Sequence, residues 1–309
     1  ALEVVYRQGP VTIYRVLGAE GQEVGAWRHP APTEGEQETQ SSRHGLLAWI
    51  ARHWLAGPVR AEGPDKPGGE APKPEGKTLL LDEPVDALPV VNGRGWNPLA
   101  RASTWGALLS WWLVLELLGL AAWPLAARAL PMAAGGYALA KGLGLLLVGY
   151  LVWIGASLRL VANSPPVAWA ALALLGACSF FLWRRRRPDA LTTWRRWRRL
   201  VLIEEGLFTL AFLAFVGLRV LNPDLWQPWF GGEKMMEIAF LNALTKSAYF
   251  PPYDPYFAGG YLNYYYYGQF IVALLVKLTG LVPEVAFNLA VPTFFALTIS
   301  HAFTLGYHL

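Results

Sequence analysis

The fold class is decided by residues 184–221, which read RRRRPDALTTWRRWRRLVLIEEGLFTLAFLAFVGLRVL. The first part carries eight arginines, and the second is a mostly apolar run of about the ~20 residues that cross a bilayer as a helix. Such a basic cluster can mark a nucleic-acid patch. Because apolar stretches flank it on both sides, a charged loop at a membrane surface explains it better, with Arg184–Arg199 in the cytoplasm.

The composition of the whole chain is that of an integral membrane protein. Of the 309 residues, 54% are hydrophobic and only 16% are charged, against roughly 25% charged in a soluble domain. The single cysteine, Cys178, excludes a disulfide scaffold, and no close cluster of Cys and His predicts a zinc module. We expect a multi-pass protein of the plasma (inner) membrane, with the lipid bilayer and not nucleic acid as its partner.

Six apolar runs have about the length of a membrane-spanning helix. They are Trp105–Leu125, Tyr137–Leu160, Pro166–Trp183, Leu200–Leu221, Tyr264–Val282 and Val285–Leu309. The fold class expected from them is an all-α polytopic membrane protein with about six transmembrane helices. With the arginine loop inside, residues 222–263 between the fourth and fifth runs lie on the extracytoplasmic side.

The first 56 residues differ from the rest of the chain. Two alternating stretches, Leu2–Tyr6 and Val11–Val16, flank a turn signal at Pro10 and predict a small β-hairpin. We interpret residues 1–56 as the extracytoplasmic remnant of a preceding soluble domain.

Residues 57–104 are predicted to be a disordered linker. Between residues 57 and 98 there are 15 Gly and Pro, too many for a packed core. The remaining segment, residues 105–309, is the transmembrane domain. Because the chain begins with Ala1 and stops inside an apolar run, we interpret it as a fragment whose last domain is incomplete.

The loop between the fourth and fifth runs has the most unusual sequence. Of the 22 residues from 249 to 270, eleven are aromatic and eight are tyrosines. In residues 234–247, Met236, Phe240 and Leu244 fall on one helical stripe, while Glu237 and Thr245 lie on the opposite arc. The pattern predicts an amphipathic helix in the plane of the membrane interface.

Ordinary explanations exist for many polar and aromatic residues. Spacing favours Glu233 as a partner of the helix N-terminus and Glu237 as a solvated charge, and an interfacial belt accounts for most Tyr and Trp. Within the spans, Glu116 is expected to pair with Lys141 on the neighbouring span. Glu204 and Glu205 are expected near the interface, paired with arginines.

Several motifs resemble the YYY-domain membrane proteins, a bacterial and archaeal family of largely unassigned function. They are Gly-Glu-Lys-Met-Met-Glu at 232–237, Phe-Pro-Pro-Tyr-Asp-Pro at 250–255, Ala-Gly-Gly-Tyr-Leu-Asn at 258–263 and the tyrosines at 264–267. The resemblance covers about residues 80–309. That family has Pro at the position of Met235 and Asp at the position of Glu237, where the charge is kept on a longer arm.

The order of these features is also similar to the layout of GT-C class glycosyltransferases. In that class an outward span leads to an acidic motif, an interfacial helix, a Pro-containing turn and an aromatic entry into the next span. The similarity implies transfer of a sugar from a polyprenyl-phosphate donor to an extracytoplasmic acceptor. A carboxylate would take the acceptor proton, and a cation or metal would compensate the departing phosphate.

This resemblance implies roles for individual residues. Glu233 is the first candidate for the base and Asp254 the second, with Glu237 as a third carboxylate. Lys234 would bind the donor phosphate, and Asp254 is the candidate ligand of a divalent cation, Mg²⁺ or Mn²⁺. The candidates for substrate contacts are Tyr253, Asn263, Tyr264 and Tyr265.

Two other classes of function compete with the enzyme. The alternative is a non-catalytic membrane scaffold or lipid-binding subunit of the same fold. A transporter would require inverted repeats and broken helices, which the sequence does not show clearly. Carboxylates that converge with Lys234 on a cavity would favour the enzyme, whereas a flat and filled loop would favour the scaffold.

Overall fold

The computed structural model describes residues 2–8, 11–16, 59–60, 79–185, 190–223, 234–257 and 259–309. The chain divides into two compact units, Ala1–Leu47 and Ala48–Leu309. In the first unit, strands β1 (Leu2–Gln8) and β2 (Val11–Val16) pair antiparallel. The predicted hairpin is therefore confirmed.

The second unit is built from helices. Its helices are α1 (Pro98–Ala102), α2 (Thr104–Ala129), α3 (Tyr137–Ser157), α4 (Pro165–Arg185), α5 (Ala190–Leu221), α6 (Lys234–Lys246), α7 (Tyr267–Thr279) and α8 (Pro283–His308). Strands β3 (Val59–Arg60) and β4 (Pro89–Val90) form one short antiparallel pair. Five helices, α2, α3, α4, α5 and α8, are long and apolar enough to cross a membrane. The all-α, multi-pass class is confirmed.

Helices α5 and α8 pack antiparallel along their length. Near the end of α5, Arg219 Nε donates to Asn288 Oδ1 at 3.0 Å, close to the start of α8. Near the start of α5, Glu204 Oε1 accepts from Thr304 Oγ1 at 2.7 Å, close to the end of α8. Helix α8 therefore begins at the side of the bundle where α5 ends. We call that side the tyrosine end and the opposite side, which carries Arg195–Arg199, the arginine end.

The structure differs from the sequence prediction at the fifth candidate span. The apolar run Tyr264–Val282 contains only the 13-residue helix α7, roughly 20 Å long, which is too short to cross a bilayer. Its first residue, Tyr267, has its ring 5.8 Å from that of Trp153, near the end of α3. Its last residue, Thr279, accepts a hydrogen bond from Asn97, which caps α1 and also donates to Ser110 in the second turn of α2. Both ends of α7 thus lie at the tyrosine end.

Helix α7 has the apolar composition of a membrane-spanning helix because it is buried inside the protein. Every residue from Phe270 to Thr279 is buried by other parts of the protein. Gly280, with φ at +72°, then ends the helix in a conformation that favours glycine. Since α7 does not cross, α8 runs from the tyrosine end to the arginine end, the reverse of the direction expected with six spans.

The C-terminal end of α7 is capped by the segment that precedes α1. Three of its backbone carbonyls accept hydrogen bonds: Lys277 O from Trp96 Nε1 at 3.0 Å, Thr279 O from Asn97 Nδ2 at 2.9 Å, and Gly280 O from Gly95 N at 2.7 Å. These carbonyls lack partners within their own helix. The capping residues belong to the predicted linker, so this part of it has a structural role.

The described part of the linker, residues 79–97, is attached to the bundle. Its regular elements are the helical turn Val85–Ala87 and strand β4. Leu81 N donates to Gly259 O and Val91 N donates to Lys246 O, at 2.7 and 2.8 Å. Of the rest of the predicted linker, the structure describes β3 and residues 98–104, where the helices begin. Residues 57–58 and 61–78 lie outside the described residues.

A buried cluster of charges joins α2, α3 and α5. Lys141 Nζ lies 3.1 Å from Glu116 Oε2 and also pairs with Glu205. The predicted Glu116–Lys141 pair is confirmed. The expectation of arginine partners is wrong for Glu205, which accepts from Tyr137 and Thr209, and for Glu204, which is buried against Thr304. An apolar environment strengthens these pairings and penalises any charge left alone.

We expect Lys141→Met to destabilise the bundle by about 3 kcal/mol, because it leaves Glu116 and Glu205 together without their cation. Reversible unfolding in mixed micelles measures the change. The double variant Lys141→Met with Glu205→Gln should recover part of the loss, since one uncompensated carboxylate is removed. The exposed Arg128→Met serves as the control. Wild-type stability of the single variant would contradict the role of the cluster.

We expect Asn97→Ala to lower stability by about 2 kcal/mol. Its Oδ1 caps α1 through the N–H groups of Leu99 and Ala100, and its Nδ2 donates to Thr279 O and Ser110 Oγ. Asn92→Ala, in the same segment but exposed, is the matched control. Thermal unfolding of both variants in detergent is the measurement, and equal midpoints would refute the cap.

Cysteine labelling tests the five-span topology. In a Cys178→Ser background, cysteines at Arg195 and Tyr307 should react from the same side of the membrane, because both lie at the arginine end. A cysteine at Asp254 should react from the opposite side. A sixth crossing at α7 would instead place Tyr307 on the side of Asp254, so the label at Tyr307 decides between the two arrangements.

Candidate functional site

A groove of about 390 Å³ lies between α6, α7 and α8 at the tyrosine end. Most of its wall is apolar and comes from Leu241, Val272, Phe287, Ala290, Val291 and Phe294. Its polar groups come from Glu237 in the first turn of α6, Gln269 in the first turn of α7 and the hydroxyl of Tyr265. Such a combination of an extended apolar wall with a few polar groups is typical of a site for an amphipathic ligand.

Two of these polar side chains, Glu237 and Gln269, are available to a ligand. Within the described ranges, the Glu237 carboxylate makes no hydrogen bond or ion pair. The Gln269 Oε1 atom is buried and has no hydrogen-bond partner there. A buried amide oxygen without a partner is destabilising unless something else donates to it. Glu237 is half-buried and borders the groove.

Helix α6 positions Glu237. The predicted helix at 234–247 is confirmed as Lys234–Lys246, with Phe240 and Leu244 buried on its apolar face. Thr245, expected on the polar arc, is buried as well. Its Oγ1 donates to Leu241 O and its carbonyl accepts from Lys277 Nζ, both at 2.7 Å. Helix α6 is therefore packed into the bundle, and only its first turns border the groove.

Two other predicted site residues, Glu233 and Lys234, are adjacent in the sequence. Glu233, the first candidate for the base, lies outside the described residues. Lys234, the candidate for the donor phosphate, is the first residue of α6 and is half-buried. It is not among the residues that line the groove.

Asp254 has a structural explanation in its own loop. Its Oδ1 accepts from Tyr256 N at 2.8 Å and from Phe257 N at 3.1 Å, so the carboxylate caps a turn. In the part of the chain that the structure describes, no group of three His, Cys, Asp or Glu residues could hold a metal ion. The described residues around Asp254 therefore do not form a site that fits a divalent cation.

The four predicted substrate-contact residues do not lie together in one site. Tyr265 lines the groove and is 86% exposed. The ring of Tyr264 lies 5.9 Å from that of Phe240, and Asn263 is exposed. Tyr253 lines another cavity, and only Tyr265 of the four borders the groove.

That other cavity, of about 400 Å³, is formed by the Pro-containing turn and the start of the described linker. Tyr253, Tyr261, Arg159 and Asp82 line it, and Tyr261 OH donates to Asp82 Oδ2 at 3.3 Å. Burial raises the pKa of Tyr253 above its ordinary value. The phenol is thus a neutral hydrogen-bonding group at physiological pH.

Sequence reasoning missed Gln269 and the contribution of α8. Gln269 follows the tyrosine run directly, and an amide within an otherwise apolar run is a signal that could have identified it. The residues from Phe287 to Phe294 carry no comparable signal. Their position in the groove depends on the direction of α8, which begins at the tyrosine end.

A family model of uncharacterized membrane proteins, DUF2298, matches residues 147–309. The match begins within α3 and includes all three helices of the groove. It covers just over half of the chain, which therefore belongs to this family. No curated protein and no solved structure matches the sequence.

Proposed function

We propose that this member of the DUF2298 family transfers a sugar from a polyprenyl-phosphate donor to an acceptor at the tyrosine end of the bundle. The observation that carries the proposal is the groove between α6, α7 and α8. Its apolar wall suits a polyprenyl chain, and Glu237 and Gln269 line it without partners in the described ranges. The resemblance to YYY-domain proteins and to the GT-C layout supports the same assignment.

The apolar wall suggests how the donor is held. Phe287, Val291 and Phe294 belong to α8, one of the helices long and apolar enough to cross the membrane. A polyprenyl chain lying along these residues would reach the groove from the bilayer. Its phosphate and sugar would then stand beside the first turns of α6 and α7, where the polar groups lie.

The chemistry requires one proton acceptor and one anion-stabilising group. As the acceptor oxygen attacks the anomeric carbon, the Glu237 carboxylate takes the hydroxyl proton. The bond between the anomeric carbon and the phosphate oxygen breaks, and its electron pair leaves with the phosphate. Lys234 and the N-terminal N–H groups of α6 stabilise the developing charge. The Gln269 amide would orient the sugar or phosphate.

Two further carboxylates belong to the proposal. Glu233 immediately precedes Lys234 and is the second candidate for the base. Asp254 comes third, because its Oδ1 already holds a turn. The membrane orientation is also proposed: the eight arginines among residues 184–199 favour a cytoplasmic position for the arginine end and an extracytoplasmic position for the tyrosine end.

The second candidate function is a lipid-binding subunit without catalysis. The mainly apolar lining of the groove favours it, because an apolar wall alone is sufficient to hold a lipid chain. The two functions differ in what happens to the donor. An enzyme consumes a bound polyprenyl-phosphate sugar when the acceptor is added, whereas a subunit binds it unchanged.

We expect Glu237→Gln to lower the rate of sugar transfer by about 100-fold, since the amide keeps the size of the side chain but cannot accept the proton. Donor binding should change little, because the carboxylate acts on the acceptor. Transfer from a radiolabelled polyprenyl-phosphate sugar in proteoliposomes measures the rate. Glu284→Gln, an exposed carboxylate at the start of α8, is the matched control.

Variants of the other two candidate carboxylates identify which residue is the catalytic base. If Glu237→Gln keeps wild-type transfer while Glu233→Gln loses it, the base is Glu233. Asp254→Asn should affect stability more than the rate of transfer, because the amide weakens the turn. Donor binding by the wild-type chain without transfer to any acceptor sugar, lipid or peptide would refute the enzyme and favour the subunit.

A further inference from the structure

A third cavity, of about 980 Å³, lies on another side of α6 and is larger than both the groove and the cavity beside Tyr253. It is bounded by residues 90–98, α1, the first residue of α4 and the end of α6. Three cationic side chains line it: Arg94, Arg101 and Lys246. Its lining among the described residues includes no Asp or Glu.

The three cations lack counter-charges within the described ranges. Arg101 makes one long hydrogen bond, from Nη1 to Gly95 O at 3.4 Å. The side chains of Arg94 and Lys246 make no hydrogen bond or ion pair there. The backbone of Lys246 is nevertheless fixed, because its carbonyl accepts from Val91 N at 2.8 Å. Like charges gathered around one cavity raise its potential and attract an anion.

A fourth basic side chain lies directly behind the cavity wall. Lys277 is fully buried, and its Nζ donates to Thr245 O at 2.7 Å. A side chain at Gly93 would place its Cβ only 2.9 Å from that Nζ, so the lysine lies against the glycine backbone. Gly93 and Thr245 both line the cavity. Burial lowers the pKa of Lys277 to about 7, so its side chain is only partly protonated at neutral pH.

We propose that this cavity binds a phosphate-bearing ligand. Arg94 and Arg101 supply forked donors that match phosphate oxygens, and Lys246 supplies a mobile point charge. A doubly charged phosphate balances several cations better than a carboxylate does, and it would favour the protonated form of Lys277 behind the wall. The proposal does not depend on the transfer reaction.

Two sources offer the same chemistry. The cavity lies at the tyrosine end, where the crossing helices α2, α4 and α8 begin, so the headgroup of an anionic phospholipid could enter it. Its volume also accommodates a soluble phosphorylated sugar. The indole of Trp96 lies in the wall.

Binding to the full chain tests the proposal. Calorimetry in phospholipid-free detergent should detect inorganic phosphate and glucose 1-phosphate above a chloride control of equal ionic strength. Arg94→Gln combined with Arg101→Gln should weaken this binding at least tenfold, because two charge-assisted contacts are lost. The matched control, Arg195→Gln with Arg196→Gln at the arginine end, should leave it unchanged, and equal unfolding midpoints confirm that both variants fold.

A measurement of lipid retention distinguishes a phospholipid headgroup from a soluble sugar phosphate as the ligand. Native mass spectrometry of the chain from nanodiscs compares retained phosphatidylglycerol with phosphatidylcholine. Preferential retention that the Arg94/Arg101 variant loses supports a headgroup, while tight sugar-phosphate binding without lipid preference supports a soluble ligand. The proposal is overturned if no phosphate probe exceeds the chloride control and no anionic lipid is retained, or if the Arg94/Arg101 variant binds as wild type.

Discussion

The arrangement of the tyrosine end depends on how α7 ends inside the protein. A helix that stops among apolar side chains leaves its last carbonyls without partners, and neither lipid nor core can supply donors. In this chain Gly95, Trp96 and Asn97 supply three. Because of this cap, α7 can end after 13 residues, and the chain is still at the tyrosine end when α8 begins. The starts of α7 and α8 are therefore neighbours, and the groove with α6 exists because they are.

Two buried lysines show how the same residue type serves different purposes. Lys141 lies between Glu116 and Glu205, so its charge is used in joining α2, α3 and α5. Lys277 has only a carbonyl acceptor, Thr245 O, among the described residues. No described carboxylate compensates its charge, and burial lowers its pKa to about 7. An anion bound in the adjacent cavity would favour the protonated form of this lysine.

The sequence predicts the parts of this fold that local patterns determine. The hairpin, the four spans before the loop and the amphipathic helix follow from alternation, run length and helical period. Helix α7 does not follow, because hydropathy cannot distinguish contact with lipid from contact with protein. Thr245 was misplaced for a related reason: its polar group is satisfied inside by Leu241 and Lys277. In the candidate site, Glu237 was named from sequence, but its neighbours on α8 required knowledge of the direction of that helix.

Helix α6 also limits which ligands the groove and the cationic cavity can share. Glu237 borders the groove and Lys246 borders the cavity, and nine residues of helix separate them by roughly 14 Å. In the proposed transfer, the leaving phosphate is bonded to the carbon attacked beside Glu237, so it must lie within a few ångströms of that carboxylate. The cations of the cavity are too distant to stabilise it. A phosphate held there therefore belongs to a second molecule, or to a remote part of a long acceptor. Lys234, three residues before Glu237 on α6, is the proposed cation for the donor phosphate although it does not line the groove.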